Sequence, residues 1–229
     1  MTDKPTVRHF SDLLCIWAYA ADIRLDRLVA QYTGRAVFQT HLCSVFPDTV
    51  GKLDAAWGAR GGAEAYGAHV REIAARFDHI QVHADVWSRV RPASSTAPHL
   101  FLKAAQLVDE AAQGTRPLPE TRHYRLASAL RRAFFAEARD IATWQVQAEC
   151  AAALGLDTGA IQARLHTGEA AGLLDRDLGL AQKLKVTGSP TFVMNEGRQT
   201  LYGNVGFLLL EANVDELLRA PGPGEASWC

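Results

Sequence analysis

The stretch FSDLLCIWAYAADIRLDRLVAQY, residues 10–32, changes its hydrophobic period partway along. Val7 to Phe10, in TVRHF, is short and rich in β-formers and reads as a first strand. From Trp17 the apolar residues fall at Trp17, Ala20 and Ala21, Ile23 and Leu25, Leu28 and Val29, and Tyr32, near the helical spacing. Gly34 is a helix stop. The next segment, RAVFQTHLCSVF (35–46), alternates roughly by two and reads as a strand that Pro47 ends. The opening is therefore β-α-β, two parallel strands joined by a crossover helix. Cys15 stands at the junction of the first strand and the helix.

Outward from this unit the pattern is helical from about Gly51 to Gly188, with no repeat at a fixed period. The end returns to strands: SPTFVMN (189–195), a turn EGR (196–198) and QTLYG (199–203) predict a hairpin, and GFLLLEANVDELLRA predicts a closing helix. The expected class is α/β, with a four-stranded mixed sheet ordered β-α-β … β-β-α and a large all-helical insertion. Residues 1–50 and 185–220 would form the sheet domain, 51–184 the helical subdomain and 221–229 a flexible Pro/Gly-rich tail.

Composition narrows the function classes. The 229 residues are 48% hydrophobic, enough for a sizeable core. A net charge of −1 gives no electrostatic footprint for nucleic acid or an anionic membrane. No window approaches the roughly 18 apolar residues of a membrane span, and the polar start MTDKPTVRHF does not read as a signal peptide, so a cytoplasmic location is expected. The four cysteines, Cys15, Cys43, Cys150 and Cys229, form no CxxC pair and no zinc-ligand spacing, so neither a disulfide framework nor a metal site is expected.

The layout is that of the thioredoxin fold with a helical insertion, and two segments narrow it. DLLCIWAYAADIRLDRL resembles the active-site segment of DsbA-like oxidoreductases, where CPWCY starts the helix. KVTGSPTFVMNEGRQTLYG resembles their cis-proline loop and hairpin, and RDIATWQVQAECAAALGLD resembles a helical stretch of the same branch. That branch is the cytoplasmic one, which includes 2-hydroxychromene-2-carboxylate isomerases and kappa-class glutathione transferases. The resemblance gives Cys15 the place of the nucleophilic cysteine and Trp17 that of the usual aromatic. Ser189, Pro190 and Thr191 take the cis-proline loop that binds the thiol ligand. Ile16 stands where proline is usual, and Ala18 where the resolving cysteine should be. The implied co-substrate is glutathione or another small thiol, reacting with a disulfide or an electrophile. Relatives of this branch are often dimers.

The residues carry the chemistry as follows. A thiolate is the reactive form of cysteine, and a helix N-terminus favours it, so Cys15 is expected to have a lowered pKa. The ordinary alternative is a buried, inert cysteine. Without a thiol at Ala18, a mixed disulfide on Cys15 needs a second thiol from outside or from elsewhere in the chain; Cys229 is a candidate, against the plainer reading of an exposed tail thiol. Cys43 and Cys150 read as core. His99 is a candidate substrate contact. His79 and His83, four apart, read as a possible metal pair on a helix, but with no third ligand the plainer reading is solvent-facing or structural histidines. Three functions stay open: a monothiol oxidoreductase, a glutathione-dependent isomerase or transferase of a small aromatic or electrophilic compound, and a non-catalytic binding module.

Overall fold

In the computed structural model, which describes residues 4–114 and 116–219, β1 (Thr6–Ser11) leads into α1 (Ile16–Tyr32). β2 (Val37–Leu42) then runs parallel to β1. Seven α-helices follow among the described residues: α2 (Thr49–Trp57), α3 (Gly62–Ala74), α4 (Thr96–Gln113), α5 (Arg122–Phe135), α6 (Trp144–Ala153), α7 (Thr158–His166) and α8 (Glu169–Lys183). The chain returns as β3 (Thr191–Met194), antiparallel to β1, then β4 (Gln199–Tyr202) and α9 (Phe207–Arg219). The strand order is β2-β1-β3-β4.

Alternation along β1 assigns the two faces of the sheet. Val7 packs with Leu25, Leu28 and Val29 of α1 and with Leu210 and Val214 of α9, so these two helices cover one face. Phe10 points the other way, to Ala181 of α8 and Val193. α8 lies in the stretch whose periodicity groups it with the insertion, yet it serves the sheet. The largest apolar cluster runs without a break from Leu13, Leu14 and Ala18 through Phe46 into the insertion helices. Trp87 is wholly buried there, its ring 5.2 Å from each of Phe46, Tyr66 and Phe134.

β2 ends at Leu42, short of the Phe46 expected from alternation. The amides of Val45 and Phe46 turn instead to a carboxylate, that of Asp12. Residues 75–95 form neither helix nor strand apart from one isolated bridge. His79 and His83 are therefore not on a helix: His79 Nε2 lies 3.0 Å from the Ala20 carbonyl, and the His83 amide donates to the Phe135 carbonyl. Among the described residues no group of three His, Cys, Asp or Glu could hold a metal ion, and no helix is long and apolar enough to cross a membrane.

Candidate active site around Cys15

β1 delivers the chain to one end of the sheet, and residues 12–15 turn it into α1. The Cys15 amide donates to the Asp12 carbonyl (3.2 Å), and the Cys15 carbonyl accepts from Ala18 and Tyr19 (3.1 Å each). Cys15 is the N-cap residue, with extended dihedrals of φ −86° and ψ 116°. Its side chain does not cap the helix. The thiol donates to the Ser189 carbonyl at 3.2 Å and is only 5% exposed.

Residues 188–191 form the other half of the site. The Ser189–Pro190 peptide bond is cis. Ser189 Oγ accepts from the Asp12 amide (2.9 Å), which ties the loop to the end of β1 across 177 residues of sequence. Thr191 Oγ1 donates to the Gly188 carbonyl (2.8 Å), and the Pro190 carbonyl accepts from Gly203 (2.8 Å). Gly188 lets the Tyr202 ring lie close: a Cβ would stand 2.5 Å from it, so a larger residue would have to displace that ring. The Cys43 thiol donates weakly to the same Gly188 carbonyl (3.8 Å), so the two thiols use consecutive carbonyls of one loop.

Asp12 organises the floor of the site. Its Oδ1 accepts from the Leu14 amide (2.9 Å); its Oδ2 accepts from Val45 (2.9 Å) and Phe46 (3.0 Å) amides and from Ser95 Oγ (2.8 Å). His99 Nε2 accepts from the Leu13 amide (3.2 Å) and lies 3.6 Å from Asp12 Oδ1. Burial alone would raise the Asp12 pKa, but the contacts with His99, the Leu14 amide and Ser95 outweigh it and hold the carboxyl below its ordinary value. A carboxylate with this many donors is a charge held in place.

The thiol goes the other way. Burial pushes Cys15 above its ordinary pKa; the contacts with Ser189 and the amides of Ala18 and Trp17 oppose the rise, Asp12 reinforces it, and burial wins. The expectation that the helix N-terminus lowers this pKa is thus corrected: a few amide dipoles do not offset near-complete loss of solvent. Cys43 is raised as well, first by its burial.

Of the residues singled out in the sequence, Cys15, Ser189, Pro190 and Thr191 come together. Trp17 sits in the first turn of α1, half-buried, with its ring edge-on to Phe77 at 6.4 Å. Ala18 is wholly buried under the thiol's helix turn. His99, 2% exposed, lies beneath the site, where it supports Leu13 and Asp12. Cys150 is buried on α6. Cys229 lies outside the described residues. Sequence reasoning missed Asp12 and Ser95. The signal for Asp12 was an acid placed between an apolar strand and the cysteine, and for Ser95 the small polar run opening α4.

With this geometry in view the comparisons are specific. The family model for the DSBA-like thioredoxin domain matches residues 6–215, so the chain belongs to that family. No curated protein matches it in sequence. Among solved structures, a Nitrosomonas europaea protein provisionally described as a protein disulfide isomerase superposes with a TM-score of 0.74 at 14% identity, covering 96% of this chain and 100% of its own. The cytosolic disulfide reductase DsbM of Pseudomonas aeruginosa, also solved with GSH, gives 0.67 at 23%, covering 94% and 100%. A 2-hydroxychromene-2-carboxylate isomerase gives 0.62 at 19%, covering 94% and 97%. At these identities the likeness is one of fold.

Proposed function

We propose that this chain is a thiol-dependent enzyme in which Cys15 works as a monothiol with glutathione, or a similar small thiol, as co-substrate in a reducing cytoplasm. The observation that carries the reading is the Cys15 thiol on the Ser189 carbonyl, at the cis-proline loop, with alanine where a resolving thiol would be. A loop of this kind offers backbone groups to an extended thiol ligand. The similarity to DsbM, solved with GSH, supports the same co-substrate.

In the oxidoreductase form, Cys15 loses its proton and attacks one sulfur of R–S–S–R′. The Cys15–S–S–R bond forms and R′S⁻ leaves. A glutathione thiolate then attacks the R sulfur, giving GS–S–R and returning the Cys15 thiolate. Because burial holds the thiol protonated, the rate is expected to climb with pH from neutral into the alkaline range.

One observation favours a second reading, the isomerase or transferase type. A thiol that stays protonated is a hydrogen-bond donor, as it is to Ser189 O, and a bound glutathione thiolate could take that bond. Two variants separate the readings. Disulfide exchange, assayed with a hydroxyethyl–glutathione mixed disulfide, is expected to fall at least 100-fold in both Cys15→Ser and Cys15→Ala. If Cys15 only donates a hydrogen bond, Cys15→Ser retains activity on electrophilic aromatics and Cys15→Ala loses it. Full exchange activity in Cys15→Ala would refute the nucleophile.

A further inference from the structure

A second region of the molecule has unused binding capacity: the outer edge of β2. In the parallel pairing with β1, Val37 donates to the Pro5 carbonyl (2.9 Å) and Cys43 to the Ser11 carbonyl (3.1 Å). Alternate residues of a strand turn their backbone groups to opposite sides, so 37, 39, 41 and 43 face β1 and 38, 40 and 42 face away. Leu42 proves the phase, for its amide donates outward to Asp177 Oδ2 of α8 (2.8 Å). Asp177 is fixed there by Lys103 (2.5 Å) and by His41 Nδ1 (2.8 Å). The carboxylate oxygen thus occupies the place that a neighbouring strand's carbonyl would take.

The next two rungs have no such partner. The outward amides of Phe38 and Thr40 make no hydrogen bond to any described residue, and both residues line a cavity of about 580 Å³ between β2 and the helices α4 and α8. That volume lies within the roughly 300–1,000 Å³ typical of ligand sites. Two side-chain nitrogens in its wall, His41 Nε2 and Arg116 Nε, are buried without a partner among the described residues. The rest of the wall is largely apolar, from Val29, Leu118 and Leu173 among others.

From these observations we infer that the outer edge of β2 docks an extended peptide, which pairs its backbone with Phe38 and Thr40 and stops where Asp177 caps Leu42. One amide and one carbonyl per rung, repeated about every 6.6 Å, is the pattern a peptide backbone completes. The apolar wall takes alternate side chains. The site is separate from the thiol: α4 links them, with His99 against Leu13 at one end and Gln106 and Asp109 in the cavity wall further along. It stands whether or not Cys15 is a nucleophile.

The probe is the blocked tetrapeptide acetyl-Thr-Val-Thr-Val-amide, added to the ¹⁵N-labelled full chain and followed by amide hydrogen exchange. Exchange at Phe38 and Thr40 is expected to slow at least fivefold on binding, with Gln39 unchanged. Thr40→Pro removes one outward donor and no bond to β1, as an edge position tolerates, and is expected to weaken binding at least tenfold. Leu173→Trp fills the cavity without touching the strand and serves the same purpose if the proline variant does not fold. Unchanged exchange at both amides with peptide present, or wild-type affinity in the variants, overturns the proposal. So does protection of these amides in the free protein that grows with protein concentration, which would assign the edge to a second copy.

Discussion

Two aspartates ten residues apart, Asp12 wholly buried and Asp22 partly so, respond to loss of solvent in opposite ways. Asp12, at the end of β1, meets His99, three backbone amides and a hydroxyl, which together hold it below its ordinary pKa. Asp22, on α1, meets the Arg131 guanidinium at 3.0 Å, yet burial pushes its pKa up to about 6, with the charge of Asp26 adding to the rise against the pull of Arg131. One guanidinium does less for Asp22 than a histidine together with several neutral donors does for Asp12. Arg131 is shared with Ser11 Oγ (2.7 Å), and its Nε has no partner among the described residues. A single ion pair leaves the burial of Asp22 uncompensated, whereas a histidine and a full set of hydrogen-bond donors together compensate that of Asp12.

The sharpest way to break this comparison is Asp12→Asn. The amide keeps one acceptor oxygen and turns an NH₂ toward amides that also donate, so a loss of about 3 kcal/mol is expected in urea unfolding. Removing the negative charge also lifts its repulsion from the nearby thiolate, so the pH profile of Cys15 alkylation should move to lower pH. An unmoved profile would separate Asp12 from the thiol and leave it a purely structural residue.

The next effect comes from Asp22. The native state binds a proton at Asp22 up to about pH 6, while the unfolded chain has released it by about pH 4, the ordinary value of the group being 3.8. Stability should therefore fall as pH rises from about 4 to 6, by on the order of 2 kcal/mol. For Asp12 the sign reverses: its lowered pKa contributes stability above the unfolded value, and this is lost as pH falls below it. Unfolding measured at pH 4.5 and pH 7 should show the Asp22 slope in the wild type and a flatter one in Asp22→Asn. An identical slope would mean that Arg131 holds Asp22 ionised after all.

The smallest change is Ser95→Ala, which takes one of the donors from Asp12 and should cost about 1 kcal/mol. A cost near that of Asp12→Asn would show that the donors act as one unit instead of separately.

Much of this arrangement could be read from the chain in order. The change of period at Cys15, the helical middle and the closing hairpin placed the four strands, and the two motif segments placed Cys15 beside Ser189, Pro190 and Thr191. What escaped was whatever depends on partners distant in sequence. Asp12 is defined by residues 45, 46 and 95, and a string of letters does not show that those amides converge on it. The contacts of His99 with Leu13 and Asp12 were not legible either, because helix periodicity does not say how deep an individual face lies. The thiol's pKa was misjudged because a helix N-terminus can be counted from sequence and desolvation cannot.

The strand order has a consequence for how the molecule is made. β1 is central, yet its partner on one side, β3, begins 180 residues after β1 ends, from Ser11 to Thr191. At roughly 5–20 residues per second on the ribosome, that edge of β1 waits about 10 to 40 seconds with its hydrogen-bonding groups unpaired. Over the same interval the insertion helices emerge and can pack with α1. The Cys15 thiol is thus without its Ser189 acceptor until residue 189 has been synthesised, so a nascent chain passes through a period of chemical exposure that the folded protein does not.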